Sequence, residues 1–184
     1  AGKPAYEGVL FDTGDRLITL ADEEVIAITR AKYSKAIAEG KIAINTIGDV
    51  PEGVGWDMRK NLTMNILEKF HQLGIAVWLI GHTQVKEIKL PTKKIQKTTI
   101  NVGGQLGSLL LAWPNHILTI EANWKGDKLV RTVYTIPTEE REAKSHGAII
   151  PDGLELASVA NGASQEERTK AAQTNYAKLK SFFT

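Results

Sequence analysis

Ile75-Ala76-Val77-Trp78-Leu79-Ile80-Gly81-His82-Thr83-Gln84 places six consecutive apolar residues before a glycine and three polar side chains. A run that is apolar at every position is expected of a strand buried on both faces of a parallel sheet, because a strand with one solvated face alternates. Upstream, Val9-Leu10-Phe11 runs into Asp12-Thr13-Gly14-Asp15 and reads the same way, as a buried strand with polar residues at its carboxyl end. Between them, Met58, Leu62, Ile66, Phe70 and Leu73 fall on one face of a helix that Gly74 closes. Two such strands separated by helices predict an α/β fold whose ligand edge lies at the carboxyl ends of the strands.

The 184 residues, 42% hydrophobic and 24% charged, are enough to bury a substantial core. The absence of cysteine excludes a disulfide scaffold, a thiolate metal cluster and a cysteine nucleophile. Lys plus Arg number 23 against 21 Asp plus Glu, so the net charge of +2 announces no nucleic-acid partner, which must instead be read from local charge. No apolar run approaches the ~20 residues that span a bilayer, and residues 1–8 lack the apolar core of a secretory signal. The expectation is a cytoplasmic protein without a membrane partner. The chain opens at Ala1 rather than at methionine and enters an apolar strand within eight residues, which reads as a cut start.

Around this frame, Asp22, Glu23 and Glu24 predict the N-cap and acidic first turn of a helix carrying Ile26, Tyr33 and Ile37 up to Gly40. The stretch from Gly40 to Gly55, punctuated by glycines and Pro51, reads as a long mobile connection and a functional-loop candidate. Lys86 to Lys97 holds Lys86, Lys89, Lys93, Lys94 and Lys97 against one acid, Glu87, and reads as a basic loop. A short helix is expected over Gly103 to Trp113, then strands over Ile117 to Ala122 and Leu129 to Ile136 around a turn at residues 123–127. Ser164 and Glu167 form a capping box for a last helix with Ala172, Tyr176, Leu179 and Phe183 on one face.

The chemistry concentrates at the two strand ends. Asp12 and Asp15 can hold a hydrated Mg2+, which prefers one or two carboxylates plus waters and phosphate oxygens; equally, they can cap a strand end and begin a turn. His82, Thr83 and Gln84 would face the same crevice if the two strands are neighbours, where they can sense a phosphate or position a water. The lysines can contact phosphates without regard to sequence, or simply keep a loop solvated. No tryptophan or tyrosine interrupts them, leaving Trp56 as a stacking candidate. Asp12-Thr13-Gly14 with Leu79-Ile80-Gly81 also mimics aspartic-protease elements, a minor alternative opposed by the intervening amphipathic helix. Gly2-Lys3 is followed by Pro4 and is not a phosphate-binding loop, and the four histidines show no zinc-protease spacing. Gly103-Gly104-Gln105-Leu106-Gly107 can cradle an anion or serve close packing.

The order of these features resembles the RecA-like P-loop ATPases of phage associated with single-strand annealing and recombination. The resemblance runs over residues 6–156, from Val9 to Asp15 in the place of a Walker B strand, through Val77 to Lys86, to Ile136-Pro137, Glu142 to Gly147 and Ile150-Pro151. It implies a RecA-like, mostly parallel sheet flanked by helices over 1–156, then a linker and amphipathic helix over 157–184. It further implies ATP and Mg2+ at a subunit edge of a homo-oligomer, and single-stranded DNA on the loops. Carried over, Asp12 faces the metal through water, Asp15 is its acidic companion, and His82 reads the γ-phosphate with Thr83 and Gln84 beside it. Lys144 reaches a neighbouring subunit's nucleotide, Lys86 to Lys97 face DNA, and His146 stands where arginine is usual. No segment reads G-x-x-x-x-G-K-[ST], so hydrolysis by this chain alone is not expected. The resemblance therefore implies the Walker B side of a longer DNA recombination or replication ATPase, and the alternative is a non-enzymatic DNA-binding or oligomerisation module.

Overall fold

The computed structural model describes residues 8–89, 91–147 and 150–182. The chain forms two units, Ala1–Thr83 with Ile100–Ser108 and Gln84–Thr99 with Leu109–Thr184.

In the first unit, β1 (Gly8–Asp12) leads into α1 (Gly14–Lys32), the short α2 (Ser34–Ala38), two 3-10 turns (Ile47–Asp49 and Pro51–Gly53), α3 (Gly55–Gln72) and β2 (Ala76–Ile80). β1 and β2 pair in parallel from Gly8 opposite Ala76 to Asp12 opposite Ile80. Both strands alternate rather than bury every side chain: Val9, Phe11, Val77 and Leu79 are half-buried, while Leu10, Trp78 and Ile80 are exposed. The expected two-faced burial is therefore not realised: Val9, Phe11, Val77 and Leu79 share the more covered face, and Leu10, Trp78 and Ile80 lie on the exposed one. Phe11 meets Phe70 of α3 edge to face, with centroids 5.7 Å apart. Nor is a mostly parallel RecA-like sheet seen among the described residues, since β1–β2 is the one parallel strand pair and the remaining β-structure forms small separate sheets.

α1 begins eight residues before the expected Asp22. Thr13, extended at the N-cap, accepts from the Arg16 N–H, and Asp15 occupies the acidic first turn. Asp22 thus lies mid-helix and pairs with Arg59 of α3. Leu17, Ala21, Val25 and Thr29 recur every four residues as the buried stripe of α1. The segment after Gly40 is no mobile connection: Ile44, Ile47 and Val50 are buried with Val25, and Ile26, Tyr33, Ile37 and Met58 pack against them. Its backbone is satisfied locally, with Asp49 Oδ2 accepting from the N–H groups of Asn45 and Thr46 and Arg30 Nε donating to the Ile44 carbonyl. Apolar residues every third position outweigh the glycines and Pro51 as a structural signal. The predicted α3 is present, but its deepest residues are Thr63 and Leu67; Met58, Leu62, Ile66 and Phe70 are half-buried and Leu73 is exposed.

In the second unit the lysine stretch is a two-stranded ribbon of β3 (Thr83–Lys89) and β4 (Lys94–Ile100), not a loop. The chain then crosses between the units through α4 (Gly104–Ala112). β5 (His116–Ile117), β6 (Thr119–Lys125), β7 (Lys128–Tyr134), β8 (Lys144–Ser145), β9 (Leu154–Leu156) and α5 (Gln165–Lys180) complete the order. β6 and β7 form the predicted hairpin, turning at Gly126-Asp127 with φ of 64° at Gly126, and β9 pairs with β7. Asn123, Trp124 and Lys125, expected in the turn, belong to β6. The Ser164–Glu167 capping box is formed in both directions. The half-buried line of α5 is Ala171, Asn175 and Leu179, whereas Ala172 and Tyr176 are exposed and Phe183 lies outside the described residues. The expected boundary after residue 156 falls inside this unit, between β9 and α5.

Candidate functional site

Asp12 ends β1 opposite Ile80, the end of β2, so Asp12 and Gly81-His82 leave neighbouring parallel strands at the same edge. The Asp12–Thr13 peptide is cis. Gly14 sets the spacing here: a Cβ at this position would lie 2.9 Å from Leu79 Cδ1 and 3.3 Å from the Ile80 carbonyl oxygen. Only glycine lets α1 begin this close to β2. Asp15, one residue on, then reaches His82.

Asp15 Oδ2 lies 2.7 Å from His82 Nδ1 and accepts from the His82 backbone N–H at 3.3 Å. Partial burial pushes the Asp15 carboxyl up, but the ring hydrogen bond, the backbone N–H and the charge of His82 together outweigh it and hold the pKa below its ordinary value. An ionised carboxylate only accepts, so Nδ1 carries a proton, and in the neutral form of the ring Nε2 then keeps its lone pair. The His82 side chain is 70% exposed, so Nε2 is reachable. A neutral His82 can thus orient a water through Nε2, and only the imidazolium can donate from there to a phosphate. The His82 carbonyl accepts from the Asn101 N–H at 2.8 Å, which ties the residue following β4 to the edge.

Asp12 is exposed at the sheet edge. Its carboxylate suits a hydrated Mg2+ shared with phosphate oxygens, and among the described residues no three His, Asp or Glu side chains converge into an all-protein cage. A single exposed carboxylate and a neighbouring histidine can take the metal and terminal-phosphate side of a nucleotide, while the sequence offers no Walker A cradle.

Thr83 follows His82 directly and opens β3, and Gln84 is the first residue of the second unit. Lys144, also in the second unit, donates through Nζ to the Ala112 carbonyl at the end of α4 at 2.8 Å. The lysine cluster is less free than its sequence predicts. Lys93 pairs with Glu139, Lys94 with Glu87 at 3.1 Å and Lys97 with Glu142 at 2.9 Å, whereas Lys86 and Lys89 meet no carboxylate among the described residues. Trp56, the stacking candidate, lies under the Arg59 guanidinium at 4.7 Å. Asp-Thr-Gly here passes from a parallel strand into a 19-residue helix, which removes the all-β frame that the protease alternative needs.

The family model of the AAA domain matches residues 2–146. The chain belongs to the AAA domain family. AAA domains are P-loop ATPase domains that bind ATP with Mg2+, and the match takes in Asp12, Asp15, His82, Thr83, Gln84 and Lys144. No curated protein and no solved structure matches the chain. The family accords with a mixed α/β unit whose polar edge lies at the ends of parallel strands. The Asp15–His82 contact is the feature that strand and helix patterns missed. Gly14 was its available signal, since a glycine between a strand end and a helix start marks a close approach.

Proposed function

We propose that this AAA domain is the ATP-binding core of a phage or prophage DNA recombination or replication ATPase, acting in the bacterial cytoplasm as a homo-oligomer. It holds Mg-ATP without turning it over alone. The observation that carries this reading is the shared edge at which Asp12 ends β1 and His82 follows β2, with Asp15 bonded to His82. Asp12 faces Mg2+ through water, Asp15 orients His82, and His82 with Thr83 and Gln84 reads the terminal phosphate. Lys144 reaches the nucleotide of a neighbouring subunit. Single-stranded DNA lies along the lysine ribbon, where Lys86 and Lys89 contribute more than the carboxylate-paired Lys93, Lys94 and Lys97.

Thermal unfolding with ATP, with and without Mg2+, tests the nucleotide reading. Ligand at about 100 times its Kd adds roughly 2.7 kcal/mol to the folded state, a rise of several degrees in Tm. Asp12→Asn should remove the Mg2+-dependent part. A wild-type Tm unmoved by Mg-ATP sinks the reading in favour of a non-enzymatic DNA-binding or oligomerisation module, the alternative that the lack of a G-x-x-x-x-G-K-[ST] segment favours. For DNA, Lys86→Ala with Lys89→Ala should weaken oligonucleotide binding more than Lys93→Ala with Lys94→Ala. The reverse order in a salt titration would place the contacts elsewhere.

A further inference from the structure

A groove of about 490 Å³, lined by none of the described lysine-ribbon residues, lies in the second unit between the β6–β7 hairpin and α5. Trp124 and Leu129 are directly opposite each other on the hairpin, and Arg131, two residues along β7, shares their face. Ala172 and Arg168 of α5 form the far wall. Trp124 is 58% exposed, an indole face presented to solvent rather than packed away. The wall is fixed rather than loose. Asn175 Oδ1 accepts from the Ala157 N–H at 2.6 Å and its Nδ2 donates to the Ala157 carbonyl at 3.0 Å, clamping α5 to the segment after β9. Arg168 Nε donates to the Ala163 carbonyl, which holds the guanidinium at the rim. Both arginines line the groove, and among the described residues no carboxylate does.

An aromatic face, an apolar floor and two guanidiniums without acidic neighbours in the lining are complementary to a nucleobase joined to phosphate. We propose that this groove is a base-stacking subsite for single-stranded nucleic acid, with a base on Trp124 and flanking phosphates at Arg131 and Arg168. The proposal rests on the reading that the domain binds single-stranded DNA, and it adds a contact that recognises bases to one that recognises only backbone charge.

The test is fluorescence anisotropy of a labelled oligothymidylate and of an abasic oligonucleotide of equal length, across a salt series. Wild type should bind the thymidylate more tightly. Trp124→Ala should weaken the thymidylate about tenfold and the abasic strand little, and Trp124→Phe should restore most of the loss. Arg131→Ala should lower the salt slope by roughly 0.7 on both strands. Unchanged thymidylate affinity in Trp124→Ala, while Lys86→Ala with Lys89→Ala still weakens binding, overturns the groove and leaves the DNA reading standing. Loss of self-association in Trp124→Ala with unchanged DNA binding overturns it in favour of a second copy of the chain. A wild type that binds neither strand overturns both readings. Melting curves of each variant exclude unfolding as the cause, and the exposure of Trp124 makes a large loss of stability unexpected.

Discussion

At the scale of single residues, the site depends on which nitrogen of His82 holds its proton. Asp15 accepts at Nδ1, so the ring nitrogens of wild type should report the Nδ1–H tautomer by 15N NMR near pH 8. Asp15→Asn should shift the population toward Nε2–H, and identical tautomer signals in the two proteins would remove Asp15 from its orienting role. The same contact makes stability depend on pH. The Asp15 pKa lies below its ordinary 3.8 in the folded chain, so its contribution is fully present above that value and is lost as pH falls through the lowered one. The Tm difference between wild type and Asp15→Asn should therefore shrink below about pH 4. Asp12, Asp15 and His82 were legible as chemistry because polar groups ended apolar runs. Their mutual distance was not, because it depends on how closely Gly14 lets α1 approach Leu79.

At the scale of elements, periodicity located the helices better than their ends. α3 and the β6–β7 hairpin follow from spacing and turn chemistry, but α1 was expected to begin at Asp22 because an acidic cluster looks like a first turn. Thr13 caps the helix instead, and an aspartate within a helix can serve as a partner for a neighbour, as Asp22 does for Arg59. The segment from Gly40 to Gly55 differs from its expectation for a related reason: the apolar triplet Ile44, Ile47 and Val50 docks it on the core despite its glycines. Gly55 shows what the glycine there is for. A Cβ would lie 2.4 Å from the Ile47 carbonyl oxygen and 2.9 Å from Val50 Cβ, so Gly55→Ala should cost about 1–3 kcal/mol or more in urea unfolding. Full retention of stability would mean that the turn does not dock on α3 as described. Ser164→Ala, which deletes half of the capping box, should cost about 1 kcal/mol and fray the start of α5 in hydrogen exchange.

At the scale of the whole molecule, composition and charge indicate a globular chain and little more. The near-neutral total conceals lysines already matched by Glu87, Glu139 and Glu142, partners distant in sequence in two of the three cases. The division at Thr83 was equally hidden, because β3 follows β2 after only Gly81 and His82. No described helix is long and apolar enough to cross a membrane. The chain belongs to the AAA domain family, and the nucleotide site proposed for it lies where the end of β1 and the residues after β2 share an edge. The most direct measurement is paramagnetic broadening of backbone amides by Mn2+ with ATP. Signals of Asp12, Thr13, Asp15 and Gly81 to Gln84 should broaden first, and Asp12→Asn should abolish the effect. Broadening confined to other residues, with this edge untouched, would contradict this placement of the nucleotide.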